Sequence, residues 1–356
     1  MKFIHTADIH WGMNPDRDKP WSRDRAQAIK DTFAEAVRQA KARDVDFLFI
    51  AGDLFHRQPL LRDLKELNYL FSTIPGVQVV VISGNHDRIR PNSALKSFQW
   101  RPNVTWIMEE KLTTVVYEEK NVDVTGFSYH TAEIREERLS GIRPPDAPRI
   151  HILLAHGGDD THLPINKNKL SQSGFSYAAL GHIHKPEIGA DNRYAYPGSL
   201  EPLDKTETGR HGIILGEADP STGQVTRLEF LPLSQARYIP LIVHVTTATT
   251  NGELSARIMD EINKRGSEHI YRFRIRGKRD PDITFDLSPL AQRMQIIELI
   301  DESEPQYDFS RLFAQHPGDM IGFYIRALQK DEMSQIEKKA LYYGIDALLS
   351  TMDERT

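Results

Sequence analysis

Short runs of continuous apolar residues alternate with longer stretches of helical period through the first two thirds of the chain. Residues 2–7 form one short strand-like run around Phe3 and Ile4, ending in Asp8-Ile9-His10. Between residues 25 and 43, apolar positions fall at Ala28, Ile29, Phe33, Ala36, Val37 and Ala40, a helical spacing. Residues 46–51 read as a strand, apolar after its leading Asp46 and stopped by Gly52-Asp53, and residues 77–82 as another, apolar but for Gln78 and stopped by Ser83-Gly84-Asn85. Between them, Leu64, Leu67, Leu70 and Phe71 mark a helix over 61–74. Strands buried on both faces and separated by helices predict sheets covered by helices. The pattern then turns strand-rich, with strands predicted at 104–108, 113–117, 122–127, 150–155, 177–180, 193–196, 212–215 and 225–231. Two sheets packed together with helices outside is the simplest arrangement of these elements.

Residues 232–240 read as a linker between two prolines. Beyond it a strand (241–246), an amphipathic helix (252–264) and a strand (270–276) predict a small α+β unit. Helices follow at 310–316, 320–328 and 334–349, the first two separated by Pro317-Gly318. The expected division is 1–236, 237–304 and 305–356.

Composition narrows the chemistry. With no cysteine among 356 residues, disulfides, thiolate metal sites and cysteine nucleophiles are excluded, and any metal is held by nitrogen and oxygen. A net charge of -5 removes a global basic footprint, so nucleic-acid binding would need a local patch. No apolar run approaches a membrane span and no signal segment opens the chain, so a cytoplasmic protein without membrane contact is expected.

Five motifs place metal-capable side chains at strand ends: Asp8-Ile9-His10, Gly52-Asp53-Leu54-Phe55-His56, Gly84-Asn85-His86-Asp87, His156-Gly157-Gly158 and Gly181-His182-Ile183-His184. Alone, each is a common turn. Together they gather six of the fourteen histidines. Asp8, His10, Asp53, Asn85, His156, His182 and His184 are seven oxygen and nitrogen donors, too many for one ion and suited to two sharing a carboxylate. Two such ions, roughly 3.5–4 Å apart, can clamp a phosphate and acidify a bound water. Histidine with carboxylate favours Mn²⁺, Fe or Zn²⁺ over Mg²⁺, and Mn²⁺ is the first expectation.

In this order the motifs resemble the calcineurin-like metallophosphoesterases. The forms Thr6-Ala7-Asp8-Ile9-His10-Trp11-Gly12 and Gly52-Asp53-Leu54-Phe55-His56, with Tyr196-Pro197-Gly198-Ser199, resemble the SbcD-type branch, nuclease subunits of DNA double-strand-break repair complexes. The match covers about residues 1–230, and the last two helices look closest to YhaO-type members. The resemblance implies a four-layer α/β fold, two packed sheets flanked by helices, with a small α+β capping domain and C-terminal helices. It implies that one ion takes Asp8, His10 and His184, that the other takes Asn85, His156 and His182, and that Asp53 bridges them. His86 would be the general acid, with His56 positioning it or the phosphate. It also implies a homodimer, formed through helices near 61–74 and 93–100, and a coiled-coil ATPase partner of the SMC-like type. Asp87 reads equally as an orienting group and as a helix N-cap.

Arg272, Arg274 and Arg276 alternate with Tyr271, Phe273 and Ile275, giving a strand one basic and one apolar face. That face suits DNA phosphates, and equally a solvated outer strand. Arg57, Arg88 and Arg90 flank the histidine motifs and are candidate DNA contacts. The expected activity is that of a metal-dependent DNA nuclease, a 3′-to-5′ exonuclease with some endonuclease action. A small-molecule phosphodiesterase and a non-catalytic DNA-end scaffold are the alternatives. The C-terminal helices could dock a partner or pack on their own chain.

Overall fold

The protein is described here from a computed structural model, over residues 1–353. It divides into two compact units, Met1–Ile239 with Glu268–Ile270, and Pro240–Ser267 with the described residues from Tyr271 onward.

The elements of the first unit are β1 (Lys2–Thr6), α1 (Ser22–Ala42), β2 (Phe47–Ala51), α2 (Leu61–Ser72), β3 (Gln78–Ile82), α3 (Ala94–Ser97), β4 (Val104–Ile107), β5 (Thr113–Tyr117), β6 (Val122–Gly126), β7 (Ile150–His156), α4 (Lys167–Ser171), β8 (Tyr177–Gly181), β9 (Glu187–Ile188), β10 (Tyr194–Tyr196), β11 (Gly212–Ala218) and β12 (Val225–Pro232). One sheet has the order β12-β11-β1-β2-β3-β4 and the other β5-β6-β7-β8-β10-β9. β1 through β4 run parallel, as do β6, β7, β8 and β10.

Side-chain alternation along these strands builds the layers. Phe47 and Phe49 of β2, with Val80 and Ile82 of β3, pack against Val124, Ile152, Leu154 and Tyr177 of the second sheet. Leu48, Ile50, Val79 and Val81 point the other way, onto Ile29, Phe33 and Val37 of α1 and Leu64, Leu67 and Phe71 of α2. Leu153, Ala155, Ala178 and Leu180 cover the second sheet's outer face with Leu163, Leu170 and Phe175. Two sheets flanked by helices is the expected architecture.

Between the sheets, His5 of β1 is fully buried, its Nδ1 2.8 Å from the Tyr177 hydroxyl and its Nε2 without a partner. Burial pushes its pKa down to about 3. A histidine depressed in the fold adds stability that is present above its unfolded value near 6.5 and lost as pH falls toward 3. Replacing His5 by Leu should therefore flatten the fall in urea stability between pH 7 and 5, by at most about 1.4 kcal/mol per pH unit. Equal slopes in both proteins would exclude His5 as a source of acid sensitivity.

The second unit holds β13 (Tyr238–Val245), α5 (Asn251–Arg265), β14 (Ile270–Arg279), α6 (Ser288–Arg293), β15 (Ile296–Asp301), β16 (Glu304–Pro305), α7 (Phe309–Gln315), α8 (Met320–Leu328) and α9 (Gln335–Asp353). β13, β14 and β15 form a sheet in that order, with β16 also pairing β14. A capping box opens α5: Glu253 N–H donates to Thr250 Oγ1 at 3.2 Å and Thr250 N–H to Glu253 Oε2 at 3.0 Å. Ile321 and Ile325 of α8 pack on Leu341 and Ile345 of α9.

Three sequence readings change. The segment read as a linker belongs to the first unit as far as Ile239: Gln235 N–H donates to the buried Glu201 at 2.6 Å, and the buried Tyr238 donates its O–H to Asp16 at 2.8 Å. Two isolated anchors between prolines carry no periodic signal. Within 93–100 only Ala94–Ser97 is helical, and Trp100 packs in extended chain against Phe71 and Trp106. Residues 280–304, for which no element was predicted, contain β15.

Candidate metal centre

Every expected motif lies at or just after the carboxyl end of a parallel strand, where loops can carry polar groups. Asp8 and His10 follow β1, Asp53 and His56 follow β2, Asn85 and His86 follow β3, His156 ends β7, and His182 and His184 follow β8. The loops interlock through backbone bonds: Asp8 N–H donates to Gly52 O at 3.1 Å, His10 N–H to Asp53 O at 3.0 Å and Gly157 N–H to Gly181 O at 3.1 Å. Among the described residues, four of the nine non-glycine residues with positive φ are expected ligands: Asp8 (51°), His10 (51°), Asp53 (50°) and His182 (92°). Backbone in this region is uncommon for residues with a Cβ and concentrates at functional sites.

The side chains converge. His10 Nε2 lies 3.3 Å from His184 Nε2, and His184 Nε2 lies 3.7 Å from Asp8 Oδ1. Two nitrogens at that separation match two ligands of one tetrahedral ion, roughly 3.3 Å apart for bonds of about 2.0–2.1 Å. His156 Nε2 lies 3.3 Å from Asp53 Oδ2 and 3.1 Å from Asn85 Oδ1. Asp53 Oδ2 is also 3.8 Å from His10 Nε2, so its carboxylate stands between the two clusters. Asp8, His10, Asp53 and His156 are almost wholly buried. Burial pushes the Asp8 carboxyl up to about 6, a desolvation cost that cations would offset. The donor set, its burial and its spacing fit two divalent ions.

Glycine makes the convergence possible. A Cβ at Gly84 would collide with Asp53 Oδ1 and His156 Nε2, and one at Gly181 with the Ala51 carbonyl and His156 Nδ1. Gly84→Ala should therefore displace Asp53 and His156 and abolish metal binding in a titration, in a protein that still folds. Wild-type metal affinity in this variant would show that the turn has slack.

Three of the expected ligand histidines, His156, His182 and His184, have one ring nitrogen tied to a carbonyl or carboxylate of the protein. His156 Nδ1 is 2.9 Å from the Ala51 carbonyl, and His184 Nδ1 is 2.6 Å from Glu207 Oε1. His182 instead places Nε2 2.7 Å from Asp159 Oδ2, in a group with His162. Its ring meets His156 with centroids 5.3 Å apart, but it does not join the Asp8, Asp53 and His156 group. Glu207 and Asp159 were not foreseen. Asp159 follows His156-Gly157-Gly158 closely enough to have been a signal, whereas nothing around Glu207 marks it.

His86 and His56 sit beside these clusters. His86 N–H donates to Asp53 Oδ1 at 2.9 Å, and its Nδ1 lies 3.1 Å from the His56 carbonyl. His56 Nδ1 lies 3.3 Å from His10 Nδ1, and burial followed by the neighbouring His86 depresses the His56 pKa. Asp87 neither touches His86 in a hydrogen bond nor caps a helix. It accepts from Gly84 N–H at 2.7 Å and Phe55 N–H at 3.2 Å, closing one loop and tying it to the next.

A cavity of about 500 Å³ opens beside the site, lined by His56, Arg57, His86, Arg88, Arg90 and His162 among others. Arg88 Nη1 donates to the Asn85 carbonyl at 3.1 Å, whereas Arg57 and Arg90 make no ion pair among the described residues. In the second unit the arginines of β14 do share a face, and that face is matched by carboxylates. Arg272 pairs with Glu298 at 2.7 Å, and Arg274 and Arg276 with Glu302 at 2.6 and 2.7 Å. Phosphate binding there would require those pairs to open.

The sequence was compared with known proteins. It is 28% identical over 340 residues to the Bacillus subtilis (strain 168) protein named "Uncharacterized metallophosphoesterase YhaO", covering 86% of this chain and 78% of that one. It is 27% identical over 293 residues to the DNA double-strand break repair protein Mre11 of Methanopyrus kandleri, covering 72% of this chain and 62% of that one. The Archaeoglobus fulgidus Mre11 is 28% identical over 239 residues, covering 59% of this chain and 52% of its own length. This chain thus spans between half and two thirds of these two repair proteins. Among the described residues, no helix is long and apolar enough to cross a membrane. The family model for the calcineurin-like phosphoesterases matches residues 1–186, the stretch that carries every motif from Asp8 to His184, and the chain belongs to that family of metal-dependent phosphoester hydrolases.

Proposed function

We propose that this protein is a two-metal DNA nuclease, a 3′-to-5′ exonuclease with some endonuclease activity, acting on DNA ends in double-strand-break repair. The observation that carries the reading is the open, arginine-rimmed cavity beside the histidine cluster. A small ester needs no such approach, whereas a polynucleotide brings flanking phosphates that Arg57, Arg88 and Arg90 can neutralise. The similarity to proteins named for break repair supports the same substrate.

Asp8, His10 and His184 would hold one ion, and Asn85, His156 and His182 the other, with Asp53 shared. Such a pair, most suitably Mn²⁺ and otherwise Fe or Zn²⁺, would supply Lewis-acid polarisation of the phosphate and acidify a water. His86 would give a proton to the leaving oxygen, and its Nδ1 contact with the His56 carbonyl leaves Nε2 for that task. His56 would steady His86 and the scissile phosphate.

The exposed Leu60, just before α2, and Leu61 and Tyr69 of α2 support a homodimer, and the exposed Phe323 of α8 and Tyr343 of α9 support docking of a coiled-coil ATPase of the SMC-like type. The proposed setting is the cytoplasm. A second reading, a small-molecule phosphodiesterase, draws support from the neutralised arginines of β14.

One experiment separates the two. End-labelled duplex and single-stranded DNA are digested with Mn²⁺ beside bis-p-nitrophenyl phosphate. Binding to duplex is measured against salt for wild type, for Arg57→Gln/Arg90→Gln, and for Arg272→Gln/Arg274→Gln/Arg276→Gln. The first variant should lose nearly one unit of log-affinity slope per contact removed and keep hydrolysis of the small ester. DNA left intact while the small ester is cleaved would turn the assignment to the phosphodiesterase. Loss of slope in the second variant would extend the DNA contact to β14.

A further inference from the structure

We propose that Asp159 is a positioning residue for the second ion: it fixes the tautomer of His182 so that Nδ1, and not Nε2, is the nitrogen offered to the metal. The proposal rests on the two-ion reading above and adds an atom-level assignment to it.

Metal-binding histidines usually hold one ring nitrogen on the protein and present the other to the ion. This chain shows that division twice. His156 ties Nδ1 to the Ala51 carbonyl and turns Nε2 to Asn85 and Asp53. His184 ties Nδ1 to Glu207 and turns Nε2 to Asp8 and His10. His182 reverses the pattern, because its tied nitrogen is Nε2, 2.7 Å from Asp159 Oδ2. A carboxylate can only accept, so Nε2 carries the proton and Nδ1 has the free lone pair.

The separation also argues against an ion lying between Asp159 and His182. Two ligands of a tetrahedral ion stand roughly 3.3 Å apart, and these atoms are closer, at hydrogen-bond distance.

Both partners are held before any metal arrives. His182 is clamped at its backbone, whose N–H donates to Asp8 Oδ2 at 2.9 Å from a left-handed conformation with φ of 92°. Asp159 is fixed by its own loop. Its Oδ1 accepts from Thr161 N–H at 2.8 Å, Thr161 Oγ1 at 2.9 Å and His162 N–H at 2.7 Å, while Oδ2 faces His182 Nε2 as its nearest partner, with His162 Nδ1 farther off at 3.1 Å. The loop is seated on the site by Gly158, where a Cβ would press on the Tyr196 hydroxyl. The end of β7 thus delivers His156 and, three residues later, the carboxylate that aims its neighbour.

The division of labour between the two oxygens supplies a sharp variant. In Asp159→Asn, Oδ1 can keep the three loop bonds while the amide puts a donor against His182 Nε2. The imidazole then answers by moving its proton to Nδ1, which blocks the metal. Calorimetric titration of the full chain with Mn²⁺ should show two ions in wild type. In Asp159→Asn one binding step should weaken 10–100-fold while the other holds within about threefold. A crystal structure of the Mn²⁺-loaded wild type should show His182 Nδ1 on the ion. Nε2 on the ion, or two unweakened steps in Asp159→Asn, would overturn the proposal while leaving the two-ion site intact. A third Mn²⁺ per chain that is lost in both Asp159→Asn and His162→Gln would overturn it too, since the trio would then be a metal site itself. A wild type that binds fewer than two ions would sink the underlying reading along with it.

Discussion

Asp53→Ala is expected to empty both metal positions at once. Its carboxylate stands 3.3 Å from His156 Nε2 and 3.8 Å from His10 Nε2, so it belongs to both histidine clusters. Two divalent cations a few ångströms apart repel strongly in a buried site, and the shared anion is what makes their joint residence favourable. Its removal also frees the His86 N–H, which donates to Asp53 Oδ1 at 2.9 Å, so the loop after β3 loses an anchor. Removing Asp8 instead takes a ligand from one position. A Mn²⁺ titration should therefore show no tight step in Asp53→Ala and one in Asp8→Ala. Two occupied ions at wild-type separation in crystals of Asp53→Ala would remove Asp53 from the bridging role.

His86→Ala should behave in the opposite way, keeping both ions and losing turnover. A positioned general acid contributes on the order of 10²–10⁴-fold, or roughly 3–5 kcal/mol of barrier at 1.36 kcal/mol per decade. The loss should appear in kcat with KM little changed, since the group acts on charge that develops at the leaving oxygen. The competing possibility is specific. His10, His56 and His86 bring ring nitrogens within 4.8 Å of one another, close enough for an ion. A His86→Ala protein that has lost a metal would make His86 a ligand, and one within about threefold of wild-type turnover would make it a bystander. His56→Ala should fall between these extremes.

The motifs that the fold brings together were legible because each is local. A strand that ends, a glycine that turns and a histidine two residues on are all written within a few positions, and parallel strands bring such ends together. The sheets were legible for the same reason, since runs such as Phe47–Ala51 can hardly be anything but buried strand. What escaped depends on long-range topology. Glu207 reaches His184 from 23 residues away, through a loop with no periodic signal. The charge on β14 looked free because its glutamates, Glu298 and Glu302, lie on and just after β15, a strand the sequence reading did not identify. Asp87 read equally as an orienting group and as a cap, and only the fold shows its two backbone donors.

The left-handed backbone at Asp8, His10, Asp53 and His182 has an evolutionary consequence. Such a conformation costs a residue with a Cβ about 1–2 kcal/mol, so these positions together hold several kcal/mol, a sizeable share of a typical domain's roughly 5–15 kcal/mol of net stability. Glycine would relieve each of them. A lineage freed from selection for catalysis could therefore become more stable as it lost its ligands, and decay toward glycine at these positions would be favoured rather than merely tolerated.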